Sequence, residues 1–485
     1  MHIASLHGGG VDRHVRDIVR GLPRGHLVWH VSDRAEVLEL PREGRSLPLD
    51  PAAVDREPEI AARFLRGHGV GILHVHSLGA AARARAAALA RRVGLPFIVT
   101  LHDVLFLRPD ALERDGDLAP DREWLAATSA FLRSAAAVVA PSEYIAELAR
   151  RHVPGLDVAI VPNGSPPRRA VAAIPDPRPE FAARRPRAVA MVLGAIGPHK
   201  GSAMLEALGA PLAGSGIAIV VIGYLDAQVT PGWRGAHLFV HGAYGDDEVP
   251  GLVRAYGARV ALFPNRAPES FSYALSDLWD AGVPALVPAA GALGERVRRH
   301  GGGWILPDDA GPAAIAAALG EHLGPAGAAG LARVESDLSR TDDARVPRLD
   351  TMTRSLDALY ARFGIDAQQP LDVDAAEVQA LLAKNLDGAL FREELARVAD
   401  ELAQLRSGIA EERGQAAQFA TEARAWIAKL EADVAKVQAD LLREHEALGA
   451  LAEENEKMRP GHEAFWLLPR FVRNHLLKKI RDARG

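Results

Sequence analysis

The sequence contains no cysteine. That excludes a disulfide framework and any thiolate-bound metal, and it fits a reducing compartment. Strong charge of either sign is also missing. With 57 basic against 62 acidic side chains the formal net charge is −5, which gives no overall attraction for nucleic acid. Long apolar runs are absent too. The longest, Ile217 to Leu225, falls far short of the roughly 20 residues that span a bilayer. No basic segment followed by an apolar one opens the chain, so no signal peptide is expected. What is there suits a soluble globular protein. The 485 residues are 48% apolar and 25% charged, enough for two or three domains.

The chain opens with HIAS, a glycine run at Gly8, Gly9 and Gly10, and then an apolar stripe at Val11, Val15, Ile18, Val19 and Leu22. This reads as strand, glycine loop and helix. Such a loop lets a ligand approach the backbone, and the helix N-terminus favours an anion, though the same loop also serves merely to pack helix on sheet. The strand is unusually short, so coding sequence upstream of Met1 is an expectation that the reading frame would decide. Further buried-strand candidates are LVWHVS, GILHVHS, PFIVTLHD, AAVVAPSEY and VAIVPNG, separated by helical stretches. Apolar strands alternating with helices predict a parallel sheet covered on both faces, with ligands at the carboxyl ends of its strands. Polar residues collect there: His76 and Ser77, His102 and Asp103, Ser142 and Glu143, Asn163 and Gly164. Each singly reads more simply as a loop cap, and Asp103 either orients His102 or caps a turn. Together they outline the rim of a cleft in a first domain over residues 1–175.

From Pro175, PDPRPEFAARRPR is proline-rich and charged and reads as a linker. The strand–helix rhythm then restarts, which implies a second doubly wound domain over residues 185–342. GAIGPHKG closes its first strand, where Lys200 either meets a phosphate or stays solvated. Glu295 and Arg299, four apart, read as a surface helix pair.

The most informative stretch is PNRAPESFSYALSDLWDAGVPALVP, residues 264–288. It predicts a strand end, a loop with Pro264 and Pro268, a helix opening at Glu269–Ser270, and another buried strand. Glu269 and Asp277 are eight apart, a little over two helical turns, and so project to roughly one side. Phe271, Ala274, Leu275 and Leu278 face a sheet. Carboxylates suit ligand hydroxyls, and the amides of Phe271, Ser272 and Tyr273 suit phosphate oxygens. The simpler alternative has Glu269 favouring the helix dipole and Asp277 solvated. Arg266 stands on the same rim.

In this order, GGGVDRHV, TLHD, PSEYI, VPNG, GPHKG, and ESFSYALSD followed by AGVPALV resemble a GT-B glycosyltransferase of the retaining family 4, over most of residues 1–363. The resemblance implies an α/β fold of two Rossmann-like, doubly wound domains facing a cleft that takes a nucleotide-sugar. By position, Asp277 would hold the ribose and Glu269 the donor sugar. Lys200 would neutralise the diphosphate, helped by amides at Gly9–Gly10 and Ser272–Tyr273. His102 would sit near the transferred sugar and the acceptor, with His76, Asp103, Ser142, Asn163 and Gly164 around the cleft. The family often carries an arginine where this chain has Ala195, and Arg266 is the candidate substitute. The family generally needs no metal, and no His/Asp cluster is visible in the sequence to suggest one.

Over residues 343–366 the stripe Leu349, Met352, Leu356, Leu359 and Phe363 predicts a helix, which in the family crosses back to the first domain. Residues 372–458 carry heptads such as Leu395, Val398, Leu402, Leu405 and Ile409, with a phase slip after Leu430. They predict a stuttered coiled coil and a homo-oligomer, or else a long helix folded on the body. Residues 461–485 set Phe465, Trp466 and Phe471 beside Arg470, Arg473, Lys478 and Lys479, an amphipathic basic helix for an anionic membrane surface or a partner protein. The expected activity is transfer from a nucleotide-sugar to a glycan or lipid-linked acceptor in bacterial surface polysaccharide synthesis. The expected place is the cytoplasm, at the inner face of the plasma membrane. The rival expectation is a catalytically degenerate scaffold of the same fold.

Overall fold

The computed structural model describes residues 1–363, apart from 6–8, 32–35, 42–44, 50–61, 63–64, 68, 77, 112–117, 168–176, 227–229, 308 and 341. The chain divides into Met1–Glu377 and Val378–Gly485, and every described residue lies in the first unit. The coiled coil, the terminal amphipathic helix, Ser77 and the first residues of the supposed linker fall outside the described residues.

Two sheets carry the first unit. Strands β1 (His2–Ser5), β2 (Val28–Val31), β3 (Glu36–Leu40), β4 (Arg45–Leu49), β5 (Leu73–Val75), β6 (Phe97–Thr100), β7 (Ala137–Ala140) and β8 (Val158–Ile160) lie in the order β4-β3-β2-β1-β5-β6-β7-β8. From β2 to β8 all neighbours are parallel; β3 and β4 form an antiparallel edge. The second sheet holds β9 (Ala188–Ile196), β10 (Ile217–Leu225), β11 (Gly232–Arg234), β12 (Leu238–Gly242), β13 (Ala258–Leu262), β14 (Ala285–Val287) and β15 (Gly303–Ile305). Its order is β11-β12-β10-β9-β13-β14-β15, with only β11 antiparallel. The sheets are thus mixed at one edge each, where the sequence reading had them simply parallel.

Period-two alternation explains why the apolar runs make buried strands. Val189, Met191 and Leu193 of β9, with Ala218, Val220 and Ile222 of β10, join a core on one face of the second sheet. Ala190, Val192, Ile219 and Val221 join a separate core on the other face. A strand buried on both sides has no solvent face to mark with polar residues.

The stretch read as a linker contributes to the second lobe instead. Pro179–Arg184 is a short helix, and Phe181, 4% exposed, stacks on Trp233 at 5.5 Å and meets Tyr256 edge-on. One buried aromatic outweighs the surrounding proline and charge. The Leu349–Ala361 helix packs on the first lobe, burying Met352, Leu356, Leu359 and Tyr360 against Ile18, Leu22, Ile98 and Val139. Among the described residues no helix is long and apolar enough to cross a membrane.

Candidate active site

The loop after β13 forms a wall where the two lobes meet. The helix expected to open at Glu269–Ser270 runs instead from Tyr273 to Asp280. Ser272 caps it, accepting from the Leu275 amide at 3.4 Å, and sits in the left-handed region at φ 73°. Residues before it spend their backbone groups on tertiary partners. The Arg266 and Ala267 amides donate to the His199 carbonyl at 3.0 Å each, and the Ala292 amide donates to the Glu269 carbonyl at 2.8 Å. Glu269 therefore lies in the loop, and helical spacing does not set it beside Asp277.

This loop brings Glu269 to Lys200. The Lys200 Nζ lies 3.7 Å from Glu269 Oε1, which also accepts from Asn265 Nδ2 at 3.0 Å. Lys200 ends a 3-10 turn, Pro198–Lys200, and Gly201 follows at φ 85°. A Cβ on Gly201 would come within 2.0 Å of the Pro264 carbonyl oxygen, so only glycine lets this turn approach the loop. Arg266 is exposed on the same rim, and Ala195 is exposed near the end of β9.

Arg296 fixes the next two peptides. It is 5% exposed, and its Nη1 donates to the carbonyls of Phe271 and Ser272 at 3.0 Å each, while its face covers the Phe271 ring at 4.2 Å. Burial pulls this guanidinium down to about 9. In a trans peptide the carbonyl and the next amide point opposite ways. With those carbonyls turned to Arg296, the amides of Ser272 and Tyr273 turn away from it.

The first lobe meets this wall through the Gly10–Gly21 helix and through strand ends. Gly9, at φ 101°, precedes the helix, and a Cβ on Gly10 would lie 3.8 Å from the Tyr273 ring. Asp277 finds a partner not foreseen: Arg13 donates to its two oxygens at 2.6 and 2.9 Å and lies over the Tyr273 ring at 4.3 Å. Burial pushes the Asp277 carboxyl up, against the Arg13 guanidinium, which holds it down. Ser142 caps the Glu143–His152 helix, and its Oγ donates to the Ser270 carbonyl at 2.7 Å. The Ser270 hydroxyl donates in turn to the His102 carbonyl. Glu295, read as a surface pair with Arg299, reaches across the lobes, accepting from the Tyr144 amide at 2.7 Å and the Glu143 amide at 3.3 Å. Arg299 stays 3.8 Å from it. A carboxylate at a helix N-terminus answers both the free amides and the dipole.

Of the remaining candidates, Asp103 caps a turn, accepting from the Leu105 amide at 2.8 Å, and burial raises its carboxyl to about 6. Asn163 is buried, and the Gly164 amide meets Met352 Sδ at 3.1 Å, beneath the returning helix.

The expectation of no histidine cluster is overturned. His2, His26, His74, His76 and His102 meet along the first sheet, with His14 of the Gly10–Gly21 helix packed against His76 and His102. His26 Nδ1 lies 3.0 Å from His2 Nε2, His2 Nδ1 is 3.0 Å from His76 Nε2, and His76 Nδ1 is 3.0 Å from His102 Nε2. Burial holds His2, His74, His76 and His102 well below the usual imidazole range, and His14 at about 3. The cluster escapes a linear reading because adjacent strands β1, β5 and β6 assemble it from positions far apart in the chain; His2 and His74 are register partners. Arg13 and Arg296 were missed as well, and the cross-lobe role of Glu295 was not foreseen. Only Arg13, in the first turn after the glycine run, had a local signal.

The Glycosyltransferase Family 4 model matches residues 8–169. A comparison with curated proteins returns no match. Among solved structures, Anabaena HepE, crystallised with UDP-glucose, is 15% identical, covers 75% of this chain and 100% of its own, and has a TM-score of 0.56. Sucrose-phosphate synthase from Thermosynechococcus elongatus is also 15% identical, covering 75% of this chain and 98% of its own, with a TM-score of 0.55. A glycosyltransferase from Rickettsia africae, at 12% identity with the same coverage, scores 0.52. Such identities speak for the fold. The two-sheet architecture is that of the GT-B fold, and its first lobe is similar to Glycosyltransferase Family 4.

Proposed function

We propose that this glycosyltransferase moves a sugar from a nucleoside diphosphate donor, with retention at the anomeric carbon, to a glycan or lipid-linked acceptor in bacterial surface polysaccharide synthesis. The observation that carries the reading is the wall around residues 264–273, where Lys200 stands at 3.7 Å from Glu269 and two amides of one loop turn away from Arg296. Breaking the sugar–phosphate bond leaves negative charge on the diphosphate. Lys200, the amides at Ser272–Tyr273 and Gly9–Gly10, and Arg266 in the place of the missing arginine stabilise that charge without rearrangement. Glu269 holds donor hydroxyls, and Asp277 the ribose. The acceptor hydroxyl forms the new bond near His102, and its proton leaves with the diphosphate. His76, Asp103, Ser142, Asn163 and Gly164 shape the acceptor side. This transfer uses no metal.

HepE was crystallised with UDP, and uridine nucleotides are therefore the first donors to try. The tail reading accompanies this function: oligomerisation through residues 372–458 and attachment of residues 461–485 to an anionic inner membrane surface. The test is thermal-shift screening against nucleoside diphosphates and their sugars. A ligand at a hundred times its dissociation constant adds about 2.7 kcal/mol to stability. No shift with any of them would favour the scaffold reading, for which Ala195 speaks.

A further inference from the structure

We infer that His14, His76 and His102 form a site for a divalent transition-metal ion, and that filling it inhibits sugar transfer by taking His102. The inhibitory half rests on the function proposed above; the binding half does not.

Each of the three residues offers a ring nitrogen, and the three nitrogens lie within 4.8 Å of one another. His76 Nδ1 and His102 Nε2 are 3.0 Å apart. Four-coordinate zinc, with bonds of about 2.0–2.1 Å, sets its nitrogen ligands roughly 3.3 Å apart, so this pair is nearly in place. His14 is 1% exposed, and its Nε2 makes no hydrogen bond among the described residues. A buried, unpartnered imidazole nitrogen is costly unless something fills its valence. His14 Nδ1 faces the Tyr273 hydroxyl at 3.5 Å, on the other side of the ring.

The hydrogen-bond chain assigns the lone pairs. His26 Nε2 lies 3.3 Å from the Leu22 carbonyl, which can only accept. With each ring neutral, His26 Nε2 carries its proton and Nδ1 accepts from His2 Nε2. His2 Nδ1 then accepts from His76 Nε2, which leaves His76 Nδ1 as a lone pair aimed at His102. Only His102 must move its proton, from Nε2 to Nδ1, to present a second lone pair to the same point. A ligand histidine whose other nitrogen donates to a fixed acceptor is how protein metal sites hold their rings.

The neighbouring trio His2, His74 and His76 carries no such implication. His74 is engaged at both nitrogens, by the Tyr360 hydroxyl and Thr100 Oγ1, each at 2.7 Å. His2 is likewise engaged at both, by His76 and His26, and is needed there to hold His76.

Three imidazoles and no carboxylate suit Zn2+, Co2+, Ni2+ or Cu2+ rather than Mg2+ or Ca2+, which prefer oxygen. A fourth position remains for water beside half-buried His102, whose carbonyl accepts from Ser270 of the opposite lobe.

The test titrates cobalt(II) chloride into the full chain and reads the visible absorption of four-coordinate cobalt. Saturation at one ion per chain is expected, with loss of sugar transfer over the same titration and recovery on adding EDTA. His14→Phe keeps the ring volume and should weaken cobalt binding more than about 100-fold, beyond the effect typical of losing a supporting residue. Its metal-free transfer rate should match the wild type, because His14 is not placed in the transfer machinery. Should that variant fail to melt cooperatively, His14→Asn replaces it. No cobalt band in the wild type, or a band of undiminished affinity in a folded His14 variant, overturns the site. Cobalt binding without inhibition overturns the role assigned to His102. Absence of transfer by metal-free protein counts against the proposed function and leaves the absorption result to decide the site.

Discussion

Arg13→Ala should destabilise the protein more than any other single change at the lobe interface. Both partners are largely shielded: the Arg13 side chain is 12% exposed and that of Asp277 is 14% exposed. Two charge-assisted hydrogen bonds and the contact with the Tyr273 ring vanish together. What remains is a carboxylate without its cation. Breaking one side of a buried pair typically costs 3–5 kcal/mol, and the residual exposure here points to about 3. That is roughly a hundredfold in the unfolding equilibrium. Asp277→Ala should cost less, since Arg13 keeps Asp17 at 3.8 Å and Asp246 at 3.9 Å. Urea denaturation of both single variants and the double variant closes a thermodynamic cycle. The expected coupling is about 1.5–3 kcal/mol, with Arg13→Ala the costlier single change. A coupling below about 0.5 kcal/mol, the scatter of independent sites, would show that the pair is a solvated contact and that another interaction holds the lobes.

Three further outcomes follow from the same geometry. Lys200→Ala should lower the transfer rate about 100- to 1000-fold with the unliganded melting point nearly unchanged, because its ion pair with Glu269 is long and partly exposed; equal losses in both would refute a role confined to the reaction. Gly201→Ala should cost at least about 2 kcal/mol in denaturant melts, through positive φ and collision with the Pro264 carbonyl, and should weaken nucleotide binding by shifting the loop that carries Glu269. His241 is held at about 4 by burial and then by Arg178, with the Tyr256 hydroxyl 2.7 Å from Nδ1. The unfolded chain, near 6.5, binds more protons in between, so this contribution is complete above about 6.5 and is lost as pH falls toward 4. His241→Gln should flatten the pH dependence of stability across that window by less than about 1.4 kcal/mol per unit, the ring being only half-buried; parallel profiles would refute it.

Local chemistry alone determined a good deal of this protein. The apolar runs of β9 and β10 had to become strands buried on both faces, and the glycine run before Val11 had to open a helix. Those patterns work within a few residues, where side-chain period and backbone freedom act directly. The β3–β4 edge left no such mark. Phe181 hid inside a stretch whose proline and charge spoke for a linker, and one stacking partner in the second sheet decided its place. Only the tertiary structure turned Glu269 out of the helix, gave Asp277 to Arg13 and sent Glu295 across the interface. It alone gathered His2, His14, His76 and His102. The reason is common to all of these. A hydrogen bond or an ion pair between residues 150 or 260 positions apart has no period and no spacing to betray it, and comes into being only when packed strands and helices bring its two ends within reach.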